Sequence, residues 1–266
     1  MTRIPEQLPG VRSQTLTSSG KPEYKRIPKL VIFINAPPLE KNAEAVLKRQ
    51  WKRFWQLRLS GGDRTGKVDA SRIRDGMLLH QTRYGEAVLA NILKSGILSG
   101  ELGYEGKKTQ VENSYETHYC ADFFVNYGEK SVQEYITRAF SNAENIGRLK
   151  RPNMESFACP KENNENIAFV IDPTNRNLAS LFRRSATSIH ASILAAFSVR
   201  FPLSPDRLER AKRHLAVLVG IPANYFSFII IGGKLAGDNA KLTRLKSIIS
   251  NSGLELPVVN HTGELV

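Results

Sequence analysis

The sequence predicts an α+β fold, with a β-sheet core and flanking helices. Three observations predict it. Short apolar runs such as Val31-Ile32-Phe33-Ile34, Ile167–Ile171 and Phe228–Ile231 stand between polar breakers, as buried strands do. Stretches with helical apolar spacing separate many of them. The last third of the chain then crowds short apolar runs between glycines and prolines.

The elements follow in order. Lys29 to Asn35 reads as a short strand, stopped by Ala36-Pro37-Pro38. Leu39 to Leu59 reads as a helix, with Ala43, Val46, Leu47, Trp51 and Phe54 as its apolar stripe. Lys41, Lys48, Arg49, Lys52, Arg53 and Arg58 occupy the rest, as a wet basic face or a seat for an anionic partner. Ser60 to Lys67 has Gly61, Gly66 and Lys67 at phosphate-loop spacing. Val68 replaces the metal-binding hydroxyl, and a helix rather than a strand precedes the loop, so it reads as a linker. Met77 to Thr82 is a strand carrying His80, and Glu86 to Lys94 a helix stopped by Gly96. Gly100 to Ser114 reads as a loop, Tyr115 to Asn126 as a strand and Ser131 to Phe140 as a helix. Asn142 to Asn166 reads as a long exposed insertion, and Ile167 to Asp172 as a strand closed by Pro173. Leu178 to Phe201 and Arg207 to Arg213 read as helices. Strand His214 to Val219, turn Gly220-Ile221-Pro222, strand Phe226 to Ile231, helix Asn239 to Ser250 and strand Pro257 to Val259 complete the chain. The domain reading is a flexible arm over 1–28 and a single domain over 29–266, divided into a basic helical extension (29–74) and a core (75–266).

Composition excludes several classes. Hydrophobic residues make up 41% of the 266, enough for a sizeable core. No apolar run reaches the roughly 20 residues of a membrane-spanning helix, and Met1 to Gly20 lacks the apolar centre of a secretory signal. Cys120 and Cys159 form at most one disulfide and make no C-x-x-C pair, so a cysteine zinc site is not expected. No H-E-x-x-H motif suggests a metal, and no G-x-S-x-G elbow suggests a serine hydrolase. A net charge of +13 attracts nucleic acid, anionic lipid or an acidic protein, though a merely solvated basic surface has the same composition.

Several motifs in sequence carry a family resemblance: Leu79-His80-Gln81-Thr82, Ile92-Leu93-Lys94-Ser95-Gly96-Ile97, Tyr119-Cys120-Ala121-Asp122-Phe123, Val217-Leu218-Val219-Gly220-Ile221-Pro222 and Leu256-Pro257-Val258-Val259. Their order and spacing over 78–266 resemble the ADP-ribosyltransferase superfamily, in its poly-ADP-ribose polymerase-like form with a histidine-tyrosine-glutamate signature. The resemblance implies a split antiparallel sheet and an NAD-dependent glycosyltransferase of toxin or effector type. It implies NAD as substrate, no metal, and a nucleic acid or acidic protein as acceptor. An antitoxin or chaperone is the expected companion, and the cytoplasm, the cell's own or a target cell's, the expected location.

By that resemblance, His80 would bond the adenine-side ribose, the Gln81 backbone the nicotinamide carboxamide, and Tyr119 would stack on nicotinamide, with Thr82 and Tyr84 nearby. NAD cleavage passes through an oxocarbenium-like state, which a carboxylate stabilises. The glutamate of the signature falls at Ala216, with His214 two residues before it on the same strand face. Three explanations stand. Ala216 is an engineered replacement, or the chain is a natural pseudo-enzyme, or the register differs and Glu209, Glu255 or Glu264 supplies the acid. The competing class is a binding module of the same fold that has lost catalysis and binds nucleic acid or a partner protein. Transfer of an RNA 2′-phosphate, which would draw on Arg83, Arg183 and Arg184, is the third class and fits the tyrosine strand least.

Overall fold

The computed structural model describes residues 27–32, 41–60, 70, 73–99, 102–104, 107–108, 119–126, 128–137, 159–175, 177–178, 181 and 214–266. Its elements are β1 (Val31–Ile32), α1 (Lys41–Leu59), β2 (Leu78–Thr82), α2 (Glu86–Ser95), β3 (Gly96–Leu98), β4 (Leu102–Tyr104) and β5 (Lys107–Lys108). Then come β6 (Cys120–Val125), a helix α3 over 132–137, β7 (Ile167–Ile171), β8 (His214–Leu218), β9 (Gly220–Pro222) and β10 (Phe226–Ile231). Helices α4 (Gly233–Ala236) and α5 (Asn239–Asn251) and strand β11 (Val258–Asn260) follow. The architecture is α+β.

The main sheet has the order β11-β10-β7-β2-β6-β8. The β10–β11 pair is parallel and the other neighbours are antiparallel. β7 and β10 are buried along their whole length, which is why they read as apolar runs, broken only by Ser227 in β10, rather than alternating ones. One face packs Leu78, Phe123, Phe169, Val217 and Ile229 against Leu89 and Leu93 of α2 and Leu245 and Ile249 of α5. The other packs Leu79, Val170, Phe228 and Ile230 against Val132, Tyr135 and Ile136 of α3. Burying each such side chain contributes roughly 1.5–3 kcal/mol.

A third cluster joins α1 to the β6–β8 end of the sheet. Leu47, Trp51, Phe54 and Trp55 meet Leu98, Leu102, Tyr119, Cys120, Leu218 and Val219. Polar contacts pin the helix further. The Asn224 amide donates to the Leu57 carbonyl (2.8 Å), and the Arg58 guanidinium donates to the Lys94 carbonyl (2.8 and 3.0 Å) at the end of α2. Helix α1 is thus packed into the core.

Three readings are corrected. The expected loop Gly100 to Ser114 contains β4 and β5, a small hairpin that pairs with β1. Leu102 is its one large aliphatic residue, so no period-2 pattern marks it. The expected turn Gly220-Ile221-Pro222 is strand β9, paired with β3. Of the expected exposed insertion, Cys159 and Pro160 are buried, with Asn164 donating to the Cys159 carbonyl (2.7 Å), whereas Glu162 and Asn163 are exposed as expected. The readings over 1–26, 61–67, 141–158, 182–201 and 204–213 lie outside the described residues.

Candidate functional site

β2 delivers the residues that the motif singles out. His80 pairs across β7 with Phe169, and its ring lies 5.5 Å from that of Phe123 on β6. Leu78 and Leu79 are buried, whereas His80, Gln81 and Thr82 are each half-buried, so the strand opens toward solvent at its C-terminal end. Arg83, Tyr84 and Gly85 then lead into α2, whose N-cap Gly85 provides no side-chain cap.

Three polar atoms at this strand end are shut off from solvent and have no hydrogen-bond partner: Gln81 Oε1, Gln81 Nε2 and the Tyr84 hydroxyl. Such groups normally cost about 1–3 kcal/mol each when left unmade. Burial raises the Tyr84 phenol above its ordinary value, and Glu86 adds to the shift. Charged pairs from three elements surround this tyrosine. Lys241 bonds Glu165 (2.7 Å), and Arg244 meets Glu86 (3.3 Å). The Glu165 contact raises Lys241, and the Lys241 backbone N–H holds Asp238 low. These pairs tie α5 to α2 and to the turn before β7.

The other predicted residues are placed elsewhere. Tyr119 is 2% exposed and belongs to the aromatic cluster under α1, whereas His80 packs against Phe123. Tyr119, just before β6, lies four residues from Phe123, about 13 Å at strand rise. Positions 214 and 216 of β8 pair with Phe124 and Asp122. Phe124 in turn pairs with Leu79. Strand alternation therefore sets positions 214 and 216 on the Leu79 face, one step out of phase with His80. β6 separates the two strands, a gap of about 10 Å. His80, Gln81 and Thr82 follow one another on β2 with Tyr84 just beyond; alternation sets His80 and Thr82 on the Leu78 face, where Tyr84 also packs, and Gln81 on the Leu79 face opposite Ala168, while Tyr119 belongs to the cluster under α1.

Of the alternative acids, Glu255 precedes and Glu264 follows β11 at the far edge of the sheet, three strand spacings, about 14 Å, from β2. The Glu264 carboxylate accepts from Asn260 (2.8 Å) and Thr262 (3.2 Å), which hold it below the ordinary range. Glu209 lies outside the described residues.

Sequence reasoning missed two features. It assigned Gln81 only a backbone role, yet its side-chain amide is the orphaned group. It quoted Asp122 within a motif but could not pair it with Ala216, because cross-strand register is not written in either strand alone. Among the described residues, no group of three or more His, Cys, Asp or Glu side chains is arranged to hold a metal ion. No described helix is long and apolar enough to cross a membrane. No family model matches the chain, and no curated protein or solved structure matches it.

Proposed function

We propose that the chain is an ADP-ribosyltransferase-like module that holds NAD, or its ADP-ribose part, at the end of β2 without transferring it. The observation that carries this reading is the three orphaned polar atoms of Gln81 and Tyr84 at the open end of β2. A nucleotide offers ribose hydroxyls and phosphate oxygens, which would satisfy an amide and a phenol. Transfer needs more. It needs a carboxylate by the ribose, and alanine occupies position 216. It also needs a free aromatic face for nicotinamide, and the Tyr119 ring is committed to the core.

Calorimetry with ADP-ribose and NAD tests the reading. The wild-type chain is expected to bind both. Gln81→Leu is expected to weaken binding by about tenfold, or roughly 1.4 kcal/mol, at unchanged or higher stability, since it removes an unsatisfied amide. A wild-type chain that gives no binding heat with either ligand overturns the proposal.

One observation favours a second reading, an active transferase acting on a nucleic acid or an acidic protein. Asp122 is the cross-strand partner of Ala216. In backbone register, an acidic residue thus stands opposite the position where the glutamate is expected. Release of nicotinamide from labelled NAD separates the cases. Release by the wild type that Asp122→Asn abolishes establishes the transferase. Release only after Ala216→Glu identifies a module that lost its acid.

A further inference from the structure

The outward face of α1 carries a row of cations that the nucleotide reading does not use. At 3.6 residues per turn, Lys41, Lys48 and Lys52 fall within about 40° of one another around the helix. All three are exposed, and exposed Arg49 flanks them. Along the axis, Lys41 to Lys52 spans about 16 Å. One acid, Glu44, accompanies them and pairs with Lys48 (2.6 Å) at the surface, where such a bond contributes little. Much of the rest of the helix is committed: Leu47, Phe54 and Trp55 are buried in the core, and Arg58 turns inward to the end of α2. The row therefore stands on a helix that cannot roll or swing to bury it.

We infer that this face of α1 is a docking ridge for the phosphate backbone of a nucleic acid. Three lines favour that partner. Phosphates repeat along a strand, and lysines repeating along a rigid axis meet them in series. The whole chain is strongly basic, at +13, which steers polyanions toward it. A membrane surface fits less well, because a helix that lies on lipid keeps its aromatic and aliphatic side for the acyl chains. Here Trp51 and Trp55 both point into the protein. The ridge reads charge rather than sequence, since no aromatic side chain on it offers a base a stacking surface.

The test uses the full chain and two triple variants. One is Lys41→Gln, Lys48→Gln, Lys52→Gln. The control is Lys130→Gln, Lys234→Gln, Lys246→Gln, which removes the same charge from exposed positions elsewhere. Fluorescence anisotropy follows a labelled single-stranded RNA and a DNA duplex over a salt series. The ridge variant is expected to lose tenfold or more in affinity. Its salt slope for the single strand is expected to fall by about 2, as three lost phosphate contacts predict. The control is expected to stay near wild type, and melting curves should show all three chains folded. Equal losses in both variants overturn the inference, because net charge alone would then explain binding. So does a wild type that binds neither nucleic acid at low salt. Co-sedimentation with phosphatidylserine vesicles that only the ridge variant loses, with nucleic-acid binding intact, assigns the face to membranes and overturns it too. Calorimetry with ADP-ribose on the ridge variant keeps this outcome separate from the nucleotide reading.

Discussion

Tyr135 shows how one side chain couples fold to solution conditions. Its hydroxyl donates to the carbonyls of Phe124 (2.9 Å) and Met77 (3.3 Å), closing α3 onto β6 and the start of β2. Burial pushes the phenol well above its ordinary value, and Glu129 adds to the shift. Folded Tyr135 therefore keeps its proton at pH values where an unfolded tyrosine loses it, near 10. As pH rises past about 10, the unfolded chain sheds the proton first, and stability falls. Tyr84 acts in the same direction. The variant Tyr135→Phe should cost about 1 kcal/mol at neutral pH, the net worth of a typical hydrogen bond. That cost should shrink, then reverse, as urea midpoints are followed into the alkaline range. A difference constant with pH would mean that the phenol titrates freely. The same residue scale shows what sequence can expose. His80 stands out by type and place, at the open end of an apolar strand. Gln81 does not, because an amide becomes informative only when its missing partners are visible. Tyr119 looks the same in sequence whether it faces a ligand or the underside of α1.

Elements that carry their own pattern were legible; those that depend on a neighbour were not. Strand β10 is apolar except for Ser227 and matches its predicted bounds. Helix α5 begins where Asp238 caps it, its side chain accepting from the Lys241 N–H (3.0 Å). In contrast, β9 reads as a turn, because Gly-Ile-Pro is turn chemistry. The pairing that makes it a strand comes from β3, more than a hundred residues earlier. The two strands approach so closely that only glycine fits. A Cβ on Gly220 would lie 1.8 Å from the Ile97 carbonyl oxygen, and one on Gly96 2.3 Å from that of Ile221. Both glycines also have positive φ, +130° and +118°. Just before Gly220, Val219 holds φ 73°, a strained value for a β-branched residue, in a fully buried position. Gly76 offers a comparison, with φ +80° and open space around its Cβ position. Gly76→Ala should cost only the left-handed strain, about 1–2 kcal/mol. Gly220→Ala adds overpacking against backbone and should cost about 3 kcal/mol or more. Urea denaturation of the two variants measures the difference. Equal losses would mean that β3 and β9 can part without penalty.

At the scale of the molecule, the decisive feature is where α1 belongs. Its helical period was plain, but its destination was not. The residues it packs against, Leu98, Tyr119, Leu218 and Val219, come from distant stretches that no local pattern joins to it. Read alone, the stretch looks like an appendage; in the fold α1 packs against one end of the sheet. The energetics follow. Leu47, Trp51, Phe54, Trp55 and Leu57 are all buried. At roughly 1.5–3 kcal/mol each, their burial is of the order of 10 kcal/mol, comparable with the total stability of an ordinary domain. A helix bound that tightly should not detach before the sheet unfolds. The chain contains its own reporter, because its two tryptophans are Trp51 and Trp55, both on the inner side of α1. Their emission should be blue-shifted in the native protein. In urea it should move to the red in one transition that coincides with the loss of far-ultraviolet dichroism, as one cooperative unit requires. A tryptophan transition at clearly lower urea, with the strand signal intact, would make α1 a separable extension. The cation ridge would then ride on a mobile arm rather than a fixed edge of the fold.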